Sequence, residues 1–163
     1  MYEGIMYLNC RNVSLTHSNV EHFVRGIWLY ASSDCFVSTN RLSDNYIGFG
    51  ITRCNNSKVW QNEVYNSIYA GVTMNDLNHG IQVRNNTIIN NDFVDDTYGI
   101  MVAYFFYTKN YDTILDGNTI LGYTRGLCVL GTKGLTVTNN VIGDSTGPAI
   151  HLWYSKDAVF IRN

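Results

Sequence analysis

Aspartates, one arginine and a dense run of aromatic residues gather around one irregular stretch of the sequence. Asp92-Phe93-Val94-Asp95-Asp96-Thr97-Tyr98 is acidic, and Tyr104-Phe105-Phe106-Tyr107-Thr108-Lys109-Asn110-Tyr111 follows as an aromatic run. Aromatic rings offer a large rigid apolar face with a polar tip, which suits stacking on a sugar ring. Carboxylates can hold hydroxyls or a hard cation, or pass a proton to a leaving group. Two carboxylates on either side of a bound sugar are the working parts of glycoside hydrolysis. The candidate catalytic set is therefore Asp76 opposed to Asp95 or Asp96, with Asp92 close by and Arg53 as the charge partner of Asp76. Asn75, Tyr104, Tyr107 and Tyr111 are the candidate substrate-binding residues beside them. In the competing reading the aromatics fold back as a satellite cluster, the three aspartates are solvated turn residues, and Arg53 and Asp76 form an ordinary surface pair. Asp92, Asp95 and Asp96 also make a short calcium pattern, Asp-x-x-Asp-Asp, without the length of a dedicated loop.

A second candidate patch carries Lys58, Trp60, Gln82, Arg84 and Asp116, of which Trp60 and Arg84 could contact a saccharide; its alternative is a plain solvated sheet face. The histidines, His17, His22, His79 and His151, show no metal-ligand spacing, so no metal centre is assigned to them. Cys10 and Cys54 fall at the same turn position two repeats apart, about 9.6 Å from strand spacing. That exceeds the roughly 7 Å reach of a disulfide. No disulfide is expected, and cysteine usage leaves the compartment open.

What positions these residues is a repeat. Asn40-Arg41-Leu42, Asn62-Glu63-Val64, Asn86-Thr87-Ile88, Asn118-Thr119-Ile120 and Asn140-Val141-Ile142 share one signature, and Ser18-Asn19-Val20 is a degenerate first copy. From 18 to 140 the intervals are 22, 22, 24, 32 and 22 residues. A period in that range marks a solenoid, in which each repeat buries its apolar face on its neighbours. A small residue followed by an alternating strand precedes each asparagine, as in Gly26-Ile27-Trp28-Leu29 and Gly99-Ile100-Met101-Val102. Between the two markers lies another alternating strand, such as Ser57-Lys58-Val59 or Ile81-Gln82-Val83. Three short strands per repeat make one coil of a parallel β-helix. The expected architecture is all-β: a right-handed, single-stranded parallel β-helix of about seven coils with an asparagine ladder, occupying residues 1–163 as one domain. Asparagine suits the corner because it tolerates unusual backbone angles, and its amide can bond to the copies above and below.

In this phase the inward stacks are Ile5, Ile27, Phe49, Val72, Ile100, Leu127 and Ile150 in the first strand; Leu15, Val37, Val59, Val83, Leu115 and Val137 in the second; and Val20, Leu42, Val64, Ile88, Ile120 and Ile142 in the third. The outward positions of the first strand, among them Met6, Trp28, Thr73, Met101, Cys128 and His151, form an apolar stripe without a carboxylate, lysine or arginine. Such a stripe predicts a covered face: a sugar, a missing domain or a sister subunit. The two insertions flanking Gly99-Ala103 would wall this face, since solenoid insertions map to loops and often to the binding side. Both ends read as cut. No capping helix precedes Gly4, and Ile161-Arg162-Asn163 aligns with Val83-Arg84-Asn85, which leaves the ladder asparagine still to come. The expectation is a fragment lacking its caps.

Formal charge is -2 with 15% charged residues, which gives no electrostatic case for nucleic acid. No run approaches the ~20 apolar residues of a membrane helix, and no signal peptide is visible.

With its Gly-Ile strand starts and Asn-x-aliphatic corners, the chain resembles the right-handed parallel β-helix superfamily: pectate lyases, related polysaccharide lyases and hydrolases, phage tailspikes and NosD-type proteins. The resemblance covers nearly the whole chain. It implies a polysaccharide or glycan partner bound or cleaved along the first strand and its flanking loops, by a lyase, glycoside hydrolase or depolymerase. The competing implication is a non-catalytic structural rod of a fibre, spike or adhesin, and in either case a place outside the cell, on its surface or on a virion. Fold alone does not choose between them.

Overall fold

The computed structural model describes residues 2–92, 94–104 and 109–163. Tyr107 lies outside them.

Each coil contributes one strand to each of three parallel sheets. The first sheet has seven strands, Glu3–Leu8, Arg25–Tyr30, Ile47–Thr52, Ala70–Asn75, Tyr98–Ala103, Arg125–Leu130 and Ile150–Trp153, hydrogen bonded in that order. The second sheet also has seven, from Ser14–Thr16 to Val159–Ile161, and the third has six, from Asn19–Glu21 to Val141–Gly143. All pairings run parallel and join consecutive coils of one right-handed solenoid. Register aligns Ile5, Ile27, Phe49, Val72, Ile100, Leu127 and Ile150 in one column. Val37, Val59, Val83, Leu115 and Val137 align in the second sheet, and Leu42, Val64, Ile88 and Ile120 in the third. From Ile27 to Val137 these columns make one continuous buried core, with Ile5 partly buried and Ile150 exposed at the two ends. The period-2 alternation of each short strand turns its apolar residues inward, and stacking coil on coil removes them from water.

The corners explain the frequency of Asn, Asp and Gly. The residue after the first strand is left-handed in six coils: Asn9, Ala31, Arg53, Asp76, Gly131 and Tyr154, with φ between 49° and 70°. A second such column is Asn12, Asp34, Asn56, Gly80, Asp112, Gly134 and Asp157, and a third is His17, Thr39, Gln61, Asn85, Gly117, Asn139 and Arg162. Short polar side chains and glycine are the residues that populate this region at least cost.

Inside the corner before the third strand runs the asparagine ladder. Asn40, Asn62, Asn86, Asn118 and Asn140 are all buried. The amide oxygen of each of the last four accepts both the backbone N–H and the Nδ2–H of the asparagine one coil earlier, at 2.9–3.0 Å. Asn163 continues the ladder and accepts the Asn140 Nδ2–H at 2.9 Å. This corrects the sequence alignment of the last coil by one residue. Phe160, not Ile161, stacks on Val137, so the ladder asparagine of that coil is present.

A second buried ladder occupies the first corner. Asn110 Oδ1 accepts Asn78 Nδ2–H at 2.8 Å, and Asn78 Oδ1 accepts the Cys54 N–H at 2.9 Å. All four cysteines are free thiols.

Candidate functional site

The apolar stripe of the first sheet is not open in its central coils. Thr73, Met101, Ala103 and Cys128 point away from the core yet are at most 8% exposed. Side chains from neighbouring coils fold over this face. The Tyr69 hydroxyl sits 3.5 Å from the Met101 sulfur, and Trp28, with Arg25 4.3 Å over its ring, packs onto Gly50. In the central coils the stripe is thus covered by the chain's own side chains, while Met6, Leu8 and Trp153 toward the two ends are exposed. Asn75 keeps a buried Oδ1 with no hydrogen-bond partner among the described residues.

The candidate carboxylates are not brought together. Register pairs Ala70 with Tyr98 and Asn75 with Ala103, so Asp76 follows one end of its strand and Asp95 and Asp96 precede the other end of the next. A six-residue strand separates them by about 20 Å, beyond the roughly 5–10 Å between the carboxyls of a glycosidase. Asp96 sits at a left-handed corner and binds Arg125 at 3.1 Å. Asp92 and Asp95 are exposed. Arg53 and Asp76 do lie one rung apart, with Arg53 N–H donating to the Asp76 carbonyl at 2.9 Å. The Arg53 guanidinium donates to the Tyr30 hydroxyl at 3.2 Å.

Trp60 and Arg84 meet on the second sheet, but as a packed cluster. Lys58 lies 5.1 Å and Arg84 5.9 Å from the Trp60 ring centre, and Phe36 meets its edge at 5.5 Å. Cations and a phenyl ring occupy the indole surface that a sugar would need. Arg84 reaches Asp116 at 3.9 Å, and Thr138 and Asn139 donate to Asp116, holding its carboxyl below the usual range.

Two concave sites lie among the described residues: a polar one of about 420 Å³ lined by His17, Thr39, Arg41, Gln61 and Glu63, and an aromatic one at the first corner of the fifth to seventh coils. The aromatic cavity, of about 340 Å³, is lined by Tyr104, Lys109, Gly131, Tyr154, Ser155 and Lys156. Gly131 is required there twice over: its φ is +70°, and a Cβ would strike the Tyr104 ring. Tyr154 stacks on Trp153 at 5.7 Å and 8° between planes, and Trp153 on His151 at 5.6 Å. Trp153 and Tyr154 are 55% and 69% exposed, so rings lead from the sheet face to the cavity mouth. Tyr111 lies just beyond, in a two-stranded ribbon that pairs it with Lys133. Of the residues singled out in the sequence, Tyr104 lines this cavity and Tyr111 lies beside it, while Tyr154 and Lys156, which were not singled out, line it as well. Tyr154 occupies the same column as Tyr104 and Gly131, and that phase was the available signal.

Among the described residues no three His, Cys, Asp or Glu side chains converge on a point that could hold a metal ion. This includes Asp92, Asp95 and Asp96, so the calcium pattern does not assemble. His79 pairs with Asp112 at 3.1 Å, and the thiols of Cys35, Cys54 and Cys128 are buried and pushed toward the protonated form by burial. Protonated thiols and scattered imidazoles are a poor donor set for a soft metal such as copper. No helix is long and apolar enough to cross a membrane.

Comparison with solved structures places the chain beside an alginate lyase from Paenibacillus sp. str. FPU-7, with a TM-score of 0.68 and 13% identity over 98% of this chain and 67% of that one. Weaker likenesses are the catalytic domain of a GH87 α-1,3-glucanase in complex with nigerose, at TM-score 0.42 and 17% identity over 89% of this chain and 36% of that one, and the Streptococcus pneumoniae surface protein and adhesin PfbA, at TM-score 0.32 and 10% identity over 96% and 68%. At these identities the first likeness shows the fold alone. No curated protein matches the sequence. Residues 1–105 match the family described as periplasmic copper-binding protein (NosD), and with most of its length so matched the chain belongs to the NosD family, although its described side chains do not assemble a copper site.

Proposed function

We propose that this β-helix segment binds a polysaccharide, and that the glycan seats in the cavity between Tyr104 and Tyr154. The observation that carries the reading is that cavity: a concave site of about 340 Å³ walled by tyrosines and continued by the exposed Trp153–Tyr154 stack. Concave, mostly apolar sites with a few polar groups are where small ligands bind, and planar rings are what a pyranose face needs. The alginate lyase and the glucanase are carbohydrate enzymes by name, which agrees with the reading and does not carry it. The rod alternative, with the first sheet packed on a sister chain, loses support in the central coils, where the stripe is already covered. In this reading the protein works outside the cytoplasm, where such glycans lie.

Within it, Asp76 is the one candidate carboxylate within a rung of Tyr104, and Arg53 adjoins it. Affinity electrophoresis through gels containing a panel of polysaccharides tests the binding. Retardation by at least one glycan, lost in Tyr104→Ala and Tyr154→Ala, supports the site; no retardation by any of them removes it. Release of reducing ends or unsaturated sugars, followed in Asp76→Ala, tests catalysis. Unchanged turnover in that variant would remove Asp76 from the reaction.

A further inference from the structure

The placement of positive charge says more about the ligand than the cavity's shape does. Ion pairs among the described residues are made by Arg11, Arg25, Arg41, Arg84, Arg125 and His79, mostly with a carboxylate one coil away. None is made by a lysine. Of the four lysines, Lys58 lies over Trp60. The other three, Lys109, Lys133 and Lys156, collect at the aromatic corner. Lys109 and Lys156 line the cavity, whose described lining holds no carboxylate. Lys133 stands between them along the rod, paired through its backbone with Tyr111 on one side and bridged to Lys156 on the other. The chain carries a formal charge of -2 and neutralises most of its guanidiniums locally. Three ammonium groups with no ion pair among the described residues, on successive coils about 4.8 Å apart along the axis, are therefore a localised positive strip on a mildly acidic rod. A strip of this kind concentrates and orients a polyanion.

We infer that the ligand of this corner is an acidic polysaccharide, one bearing a carboxylate on its sugar units. It lies parallel to the rod axis, with its sugar faces on Tyr104 and Tyr154 and its acid groups against Lys109, Lys133 and Lys156. This deepens the polysaccharide reading and rests on it. The division of labour is explicit: rings supply the attraction common to all sugars, and the ammonium groups choose the charged ones. Lysine, a compact strongly hydrated charge on a flexible stem, suits a moving string of carboxylates better than a fixed bidentate clamp would.

The test is titration calorimetry of the whole chain with three probes: polygalacturonate, neutral dextran and inorganic polyphosphate. Circular dichroism confirms the fold of each variant. Binding of polygalacturonate and not of dextran is expected. Affinity should fall by about tenfold between low and high salt as screening shortens the reach of the lysines. Lys109→Gln combined with Lys156→Gln should lose on the order of tenfold, and Arg41→Gln, on the third sheet, should lose nothing. Dextran bound as tightly as polygalacturonate, without salt dependence, would overturn the acidic-ligand inference and leave the polysaccharide reading standing. Polyphosphate bound as well as polygalacturonate, with Tyr104→Ala without effect, would overturn the polysaccharide reading itself. Binding of no probe would overturn the acidic-ligand inference. If the wider glycan panel also failed, the site would fall with it.

Discussion

Asn86 holds Asn62 from two directions. Its Oδ1 accepts the backbone N–H of Asn62 at 2.9 Å and the Nδ2–H of the same side chain at 3.0 Å, while its own Nδ2 donates to the carbonyls of Val59 and Arg84 and to Asn118 Oδ1. Both asparagines are 1% exposed. Asn86→Ala would strand several buried donors and acceptors at once, each costing about 1–3 kcal/mol. The expected loss of unfolding free energy is about 3–5 kcal/mol by chemical denaturation, against roughly 0.5 kcal/mol or less for Asn19→Ala on an exposed strand position. Equal losses in the two variants would show that the ladder is decoration.

The ladder and the three aliphatic columns were legible in the sequence because a solenoid repeats one local environment, so each column prints its residue type at a fixed period. Phe49 under Val72 and Ile88 under Ile120 follow from phase alone. The site was only half legible. Asp76, Asp96 and Arg53 looked like reacting groups, yet each sits at a left-handed corner, where backbone conformation already favours Asp over most residues. That demand is invisible without φ. Tyr104 was found because it opens an insertion that breaks the period. Tyr154 and Lys156 sit in a coil of ordinary length, and their value comes from what stands two rungs below them. Period reveals what is alike between coils; a binding site is made from what differs.

The glycine at the second position of the first six first-sheet strands has a steric origin. Gly99 lies between the third strand of its own coil and the first strand of the next, where an added Cβ would strike Ile120 Cγ2 and come to 2.5 Å from the Gly126 carbonyl oxygen. The neighbour is backbone and cannot swing aside. Gly71 faces Ile88 and the Gly99 carbonyl in the same way. Gly99→Ala should therefore destabilise by about 1–3 kcal/mol through overpacking. Gly143→Ala meets only Leu121 Cδ2 at 3.3 Å and should cost less. Thermal unfolding of the two variants checks the order; a reversal would place the conflict elsewhere.

The thiols offer a probe of burial that needs no substitution. Cys35, Cys54 and Cys128 are between 0% and 3% exposed, and burial pushes the Cys54 thiol up to about 11. Burial pushes the Cys35 and Cys128 thiols up as well, and the thiolate is the reactive form. Cys10 is only partly buried. Reaction with a coloured disulfide reagent at pH 8 should label one thiol quickly in the native chain, and all four cysteines after denaturation. Two or more fast thiols in the native state would mean that the first corner opens on the timescale of labelling.

Asp116 gives the rod an acid-sensitive link. Thr138 Oγ1 donates to its Oδ1 at 2.7 Å and Asn139 Nδ2 at 2.9 Å, with Arg84 at 3.9 Å from the other oxygen. These hydrogen bonds, aided by Arg84 and opposed by partial burial, hold its carboxyl below the ordinary 3.8. The folded chain therefore keeps Asp116 ionised at a pH where the unfolded chain has begun to protonate it. Its stabilisation is full above about pH 4 and disappears as pH falls through the depressed folded value. Asp116→Asn should be less stable than the parent at pH 7. The gap should narrow in acid, as the parent's carboxyl is titrated below its ordinary 3.8. Denaturation curves at neutral and acid pH decide it: a gap of unchanged size in acid would mean that shape and hydrogen bonding at Asp116 matter and its charge does not.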